Sequence, residues 1–364
     1  MIRPVFYDDF TCIADKCDFT CCQEWKIGVD DATAAKWKKA NPPKNHKTRR
    51  KNLEQFTQYK DGQRVIALEK HVCPFLSEQK LCSLVCQFGD SILPETCQVF
   101  PREIHKFEDR TEAVLMPCCP EAIDLLNQAE GFELTEQVSA SDRLVSIRQE
   151  LMKLLARDTV SSSIGILAGY YILQELFSKD TISIEEAFSY GDEIIHIIKE
   201  MSFEPREHFV ECNELFLDLT DNYRRQEIYG DYLNPLVELA ERISGLSEPD
   251  EYSEAFLQKW LEHEKLIHKL LVQEIFADLI YADSELEDAL IRYQWIAMEY
   301  ALLKHLSFLH YSLKHELDYK SIRDCIVLAS RMMGYEQEDI YEYMENSFEE
   351  MIWDWGYMAL LIGK

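Results

Sequence analysis

The chain has 364 residues, 38 Lys+Arg against 66 Asp+Glu, a formal net charge of −28 and 47% hydrophobic residues. That apolar fraction supports a packed core and two or three domains, and 12 Gly with 11 Pro exclude collagen-like and disordered classes. So acidic a body repels a phosphate backbone, which excludes nucleic acid as a partner and favours a basic one.

In chain order, the opening residues MIRPVFYDDFT carry Asp8 and Asp9 where a signal peptide needs an apolar run, so a cytoplasmic, reducing compartment is expected. Residues 1–37 read as short β-like pieces around Cys-rich turns, then an amphipathic stretch from Asp30 to Trp37 with Asp30 or Asp31 as N-cap. A basic, Pro-containing loop covers 38–52, and Arg64 to Leu68 reads as a strand before a hairpin-like segment from Cys73 to Cys82. From Pro120 the pattern is helical, with helices expected over 120–129, 143–158, 164–178, 183–202, 232–245, 251–282, 285–316, 319–333 and 337–352. Ser161, Ser162 and Ser163 read as a helix start rather than a nucleophile. The longest apolar stretch, Ile164 to Phe177, is too short and, with Gln174 and Glu175, too polar to span a bilayer; no membrane partner is expected. Leu266, Ile267, Leu270, Leu271, Phe276, Leu279 and Ile280 form one apolar stripe, a core face. The expected fold is mainly α: a small irregular Cys-rich metal-binding module with short β pieces (1–122), packed on an acidic helical bundle (123–364).

The charge follows that division. Residues 1–119 hold 18 basic and 17 acidic residues, and 120–364 hold 20 and 49. Ten of the 12 cysteines lie in the first stretch. They form Cys12-x4-Cys17-x3-Cys21-Cys22, then Cys73-x8-Cys82-x14-Cys97 with Cys86 between, then Cys118-Cys119. Thiolates are soft ligands, and a reducing compartment makes metal binding the better reading than disulfides or small buried hydrophobes. The paired C-x2-C knuckles usual for structural zinc are absent, which favours iron–sulfur, with zinc as the alternative. Cys21 and Cys22 are expected to diverge if their backbone is extended. His71 and His105 lie near the cysteines and are weaker ligand candidates. Trp25 either shields a metal or packs.

The residues also carry a resemblance. Tyr7-x2-Phe10-x-Cys12-x4-Cys17-x3-Cys21-Cys22-x2-Trp25-x-Ile27-x2-Asp30 resembles the opening of flagellin lysine-N-methylases. Cys73-Pro74-Phe75-Leu76 with Leu81-Cys82, Cys97-Gln98-Val99-Phe100-Pro101-Arg102 and Cys119-Pro120-Glu121-Ala122 resemble its later blocks. The cysteine order is also similar to a broader class of zinc- or iron-chelating Cys-rich domains. The helical part is similar more loosely, at Ser146 to Leu155, His268 to Ile280 and Arg292 to Lys304. The resemblance implies a protein-lysine N-methyltransferase that uses S-adenosylmethionine (SAM) and carries an iron–sulfur cluster, 4Fe-4S favoured. Its substrate would be flagellin or another protein with exposed lysines. The cysteines it shares are Cys12, Cys17, Cys21, Cys22, Cys73, Cys82, Cys97 and Cys119; Cys86 and Cys118 are extra. Two departures are Glu24, where members often have Gly, and Gly334-Tyr335-Glu336, where members carry a His-containing turn.

The sequence has no Gly-x-Gly and no Cys-x3-Cys-x2-Cys, so neither a glycine-rich dinucleotide-type loop nor a standard radical-SAM triad is available. Any SAM site is therefore unusual, with a cluster iron that has a free coordination position as one option. Arg102 is the best non-Cys candidate, either as a fork for a cluster or the SAM carboxylate or as a structural pairing. A lysine must lose a proton before methylation, which acids and aromatics serve. Glu299-Tyr300, Tyr341-Glu342-Tyr343, Glu345 and Trp353-Asp354-Trp355 supply both, or simply form a solvated face with core aromatics. The reading from a different class is a non-catalytic metal-binding or redox-sensing interaction protein.

Overall fold

The computed structural model describes residues 1–44, 48–60, 62–139, 142–179, 181–244, 252–333, 337–348 and 353–363. Part of the basic loop, residues 45–47, and the Gly334–Glu336 turn lie outside the described residues.

The first third is built from short elements. α1 (Asp31–Trp37) starts at Asp30, whose carboxylate accepts the Thr33 N–H at 2.8 Å, the capping role expected of it. β1 (Thr57–Lys60) and β2 (Gln63–Ile66) form an antiparallel hairpin, with the strand expected at Arg64 slightly displaced toward its turn. α2 (Ser83–Phe88) follows Cys82, and α3 (Glu95–Val99) carries Cys97. A second hairpin, β3 (Arg102–Lys106) with β4 (Thr111–Leu115), was not foreseen, because charged residues interrupt its alternation. α4 (Pro120–Gln128) follows Cys119 with Pro at its first position.

The rest is helical: α5 (Arg143–Leu155), α6 (Ser162–Ser178), α7 (Ile184–Ser189), α8 (Gly191–Glu200), α9 (Pro205–Arg225), α10 (Gly230–Ser244), α11 (Glu254–Leu261), α12 (Glu264–Asp278), α13 (Leu286–Lys314), α14 (Tyr319–Met332), α15 (Gln337–Phe348) and α16 (Trp355–Ile362). The chain is mainly α, as expected. The helix expected over 183–202 divides at Tyr190, and the one over 251–282 divides at Glu262 and His263. Among the described residues no helix is long and apolar enough to cross a membrane.

Two apolar cores result. The smaller one collects Ile27, Trp37, Leu53, Phe56, Phe75 and Leu84, with Cys73 buried among them. The larger one fills the helical body and reaches back to Ile2, Phe6, Phe19 and β4. α13 runs through the larger core and packs on α6, α9, α12, α14 and α16. α12 is buried on nearly every face rather than along one stripe. Its polar residues therefore need partners. Lys269 donates to the Asn127 and Ala129 carbonyls at 2.8 Å each, closing the end of α4. Gln273 donates to the Leu115 carbonyl at 3.0 Å. Arg148 on α5 forms a bidentate pair with Glu112 of β4, both bonds 2.7 Å, and also donates to the Phe276 carbonyl. A buried pair needs this completeness to offset its desolvation.

Arg331 of α14 ties the body to the Cys-rich turns. It donates to the Cys118 carbonyl at 3.0 Å and the Phe19 carbonyl at 2.7 Å. Beside it Phe19 stacks on Tyr232 at 4.4 Å, and Lys320 pairs with Asp18 at 3.1 Å.

Candidate metal centre

Four separate segments bring thiols to one place. The segment 12–22 carries Cys12 and Cys17 on either side of the short Ala14–Lys16 turn and Cys21 and Cys22 in the next one; the 73–82 segment carries Cys73 and Cys82; α3 carries Cys97; and Cys119 sits at the start of α4. All eight line one cavity of about 330 Å³, and Cys86, taken from sequence as an extra, lines it too. Cys118 is buried but does not line it. Phe10, Phe19, Phe75 and Phe100 supply apolar wall, and Lys80 and Glu121 stand at its margin.

The thiols interact. Cys21 and Cys22 lie in a turn, not an extended strand, so their sulfurs meet instead of diverging. Hydrogen bonds from Cys21 and Cys73 draw the Cys22 thiol down to about 3, and the same sharing pushes Cys21 and Cys73 well up. Burial pushes Cys97 and Cys119 up to about 12, and raises Cys17 and Cys82 as well. Backbone N–H groups at the start of α2 and α4 point at Cys82 and Cys119 and oppose that rise. The raised thiols carry protons that a soft metal must displace, and Cys22 is the one already drawn toward the thiolate.

The donor set is right for a soft metal. A tetrahedral zinc needs four sulfurs about 2.3 Å from it, and nine line this cavity. Among the described residues no three Cys, His, Asp or Glu side chains are grouped to hold a single ion. The thiols ring a cavity instead of converging on a point.

The other sequence candidates separate. The Arg102 guanidinium lies over the Tyr7 ring at 5.6 Å and the Phe10 ring at 5.0 Å, one aromatic layer behind the cavity wall. Trp25 packs tilted on Phe100 at 5.1 Å and donates to the Cys21 carbonyl, so it fixes the turn that carries the two adjacent thiols. His71 lies in a turn and accepts the Glu24 N–H through its carbonyl. His105 is 3.4 Å from Glu103 and edge-on to Tyr281, away from the thiols. Ser161 stands at the N-cap position of α6, and Ser163 bonds the Tyr300 hydroxyl at 2.7 Å. Tyr341 donates to Asp288 and Tyr343 to Asp218, while Glu342 and Glu345 are exposed. Asp354 caps α16, Trp355 donates to the Leu167 carbonyl, and Trp353 is exposed. Glu299 faces a separate small cavity between α12 and α13, together with Glu274 and Asp278. The sequence reading missed those two acids, along with Cys86 and the Thr20 hydroxyl that accepts the Cys22 N–H at 3.3 Å. Their i,i+4 spacing on one helix is the signal that could have found Glu274 and Asp278.

Comparison with known proteins bears on the helical body. The family described as FliB lysine N-methylase C-terminal domain matches residues 136–361, more than half of the chain. The chain is 28% identical over 142 residues to the flagellar biosynthetic protein FliU of Salmonella muenchen, covering 38% of this chain and 84% of that one. It is 27% identical over 138 residues to the lysine-N-methylases of Salmonella choleraesuis and Salmonella typhimurium, covering 37% of this chain. The match spans 34% of the length of those two methylases. No solved structure matches.

Proposed function

The chain belongs to the FliB lysine N-methylase family, and we propose that it methylates lysine ε-amines of a protein, with SAM as methyl donor and an iron–sulfur cluster in the thiol-lined cavity. The observation that carries the reading is that nine cysteines line a single cavity beside a helical body of that family. Nine thiols exceed the four that a single zinc ion takes, which supports a multi-atom cluster, 4Fe-4S in this reading.

Cys12, Cys17, Cys21, Cys22, Cys73, Cys82, Cys97 and Cys119 are the residues from which the ligands would come, four making one cluster and all eight making two, residues 1–122 forming the metal-binding module and 123–364 the helical body. A cluster of this kind supplies a soft electrophilic iron that can accept SAM at an open coordination position. The chain's own part is to shield and position. Phe10, Phe75 and Phe100 give the cavity an apolar wall, and Trp25 holds the Cys21–Cys22 turn. Arg102, in the aromatic layer behind Phe10, is placed to turn its charge toward a bound carboxylate. The acidic helical body favours a Lys-bearing partner; flagellin is the substrate that the resemblance implies, and one relative is a flagellar biosynthetic protein. A cytoplasmic location fits reduced cysteines.

The test is to incubate anaerobically purified, iron-loaded protein with SAM and flagellin or another Lys-rich protein, and to weigh the substrate. Mass steps of single methyl groups on lysine are expected. Their absence with an intact cluster would favour a metal-binding or redox-sensing protein without catalysis.

A further inference from the structure

A groove on the helical body runs between α6, α7 and α8, has room for about 200 Å³ and shares no residue with the thiol cavity. The sequence of α8 explains why it is apolar. Ile195 and Ile198 are 5% and 2% exposed and fasten the helix to the large core. That stripe alone holds an amphipathic helix in place. Yet Tyr190 at the start of α8, Ile194 and Ile197, spaced by four and three, form a second apolar stripe beside it, and this one faces the groove. Across from them α6 presents Tyr171 and Glu175, one turn apart, and Ile182 and the buried Ala187 complete the lining.

The apolar surface continues past the groove. Phe177 stacks on Trp353 at 6.2 Å, Gln174 donates to the Trp353 carbonyl at 2.7 Å, and Trp355 meets the Tyr171 ring edge-on at 6.5 Å. Among the described residues fifteen large apolar side chains are exposed, and five of them, Tyr171, Phe177, Tyr190, Ile197 and Trp353, belong to this face. Single exposed apolar residues are ordinary, whereas five on one face mark an interaction surface. Its surroundings are acidic. Residues 171–200 hold seven Asp and Glu against two Lys. Glu175 and Glu193 line the groove itself, and Lys179 is already paired with Glu175. The charge selects among occupants. A second copy of this chain, meeting the patch with its own, would set acid against acid. An anionic lipid surface would be repelled in the same way. A protein segment with apolar anchors flanked by Lys or Arg matches both the groove and its rim.

We propose that this groove docks an amphipathic, Lys/Arg-flanked segment of the protein whose lysines are methylated, its apolar side chains entering between Tyr171 and Ile197 and its cations meeting Glu175 and Glu193. The groove holds the partner by a segment other than the reacting lysine, so it tightens binding and takes no part in the chemistry. The inference rests on the lysine methylase reading and adds a docking surface to it.

The experiment titrates the full-length holoprotein with a fluorescent helical peptide of about 15 residues, Leu on one face and Lys on the other, and follows anisotropy at physiological salt. The control peptide has the same composition in an order that mixes Leu and Lys on every face, since the acidic body attracts both peptides by charge alone. Saturable binding of the amphipathic peptide is expected, weakened about 10-fold or more in Tyr190→Ser and in Ile197→Ser and unchanged in Leu261→Ser on α11. Tyr190, Ile197 and Leu261 are 51%, 54% and 59% exposed, so these changes leave the core and the net charge alone. Methylation of flagellin by the two groove variants is expected to show a raised KM at wild-type kcat. Equal binding of the two peptides, or equal binding by wild type and the groove variants, would mean that net charge alone attracts, and overturns the proposal. A dimer in light scattering that Ile197→Ser dissolves also overturns it, because a second copy then occupies the groove. Methylation by both groove variants at wild-type kcat/KM overturns docking of the substrate there. Peptide binding that Ile197→Ser weakens, in a protein that never methylates, supports the docking surface and sinks the activity reading.

Discussion

At Glu24 the backbone has φ +71°, in the left-handed region, between the Cys21–Cys22 turn and Trp25. An L residue pays about 1 kcal/mol to sit there and glycine does not. The side chain adds its own cost. Burial raises the Glu24 pKa, and among the described residues its buried Oε2 has no hydrogen-bond partner. Glu24→Ala removes the carboxylate and keeps the strained backbone; Glu24→Gly removes both. The glycine variant is expected to exceed the alanine variant by about 1 kcal/mol in urea unfolding, and equal stabilities would show that the turn carries no strain. The cysteines were legible in the sequence because their type alone narrows their chemistry. Glu274 and Asp278 were not, because an acid inside an apolar helix has the same letter as one on its surface.

Among the elements, α1 and α3 share one cap. The Asp30 carboxylate accepts the Thr33 N–H at 2.8 Å and the Glu95 N–H at 3.0 Å, so the side chain that starts α1 also anchors the helix bearing Cys97. Desolvation opposes these bonds, yet they hold Asp30 at about 2, below its ordinary 3.8. Because the folded value is the lower one, this stabilisation is present in full above pH 3.8 and is lost as pH falls toward 2. Asp30→Ala should cost about 1 kcal/mol per cap, seen as a lower urea midpoint at pH 7 and a gap from wild type that narrows below pH 3.8. A gap independent of pH would remove the carboxylate from the explanation. α1 and its cap could be read in advance from Asp30 ahead of an amphipathic stretch. α9 could not: its buried face mixes His208, Asn213 and Thr220 with Phe209 and Phe216, which blurs the apolar period. α16 was missed because it is eight residues long and mostly apolar, without a polar face to set a period.

At the scale of the whole molecule, the two cores are unequal, and the thiol cavity is walled by both, with more of its thiols on the weaker one. A dozen buried side chains between Ile27 and Leu93 form the small core, while the large core runs the length of the helical body. A core of that size supplies no more than about 3–5 kcal/mol, and domains of this kind are commonly stapled by a metal. Cys22, Cys73, Cys82 and Cys97 pack on that core and line the cavity at once, so a cluster bound there would join segments that apolar contacts hold only loosely. Binding to the folded state alone adds stability by mass action. The benefit should be local, since Phe19, β4 and α4 are anchored in the large core independently of the thiols. Removing iron with a chelator and oxidant is therefore expected to speed amide exchange across α1, β1, β2 and α2, while α12 and α13 keep their protection. Hydrogen–deuterium exchange with mass spectrometry on loaded and stripped protein reads this directly. Uniform protection in both states would mean that the small core stands without a metal. Loss extending through α12 and α13 would mean that the two cores unfold as one.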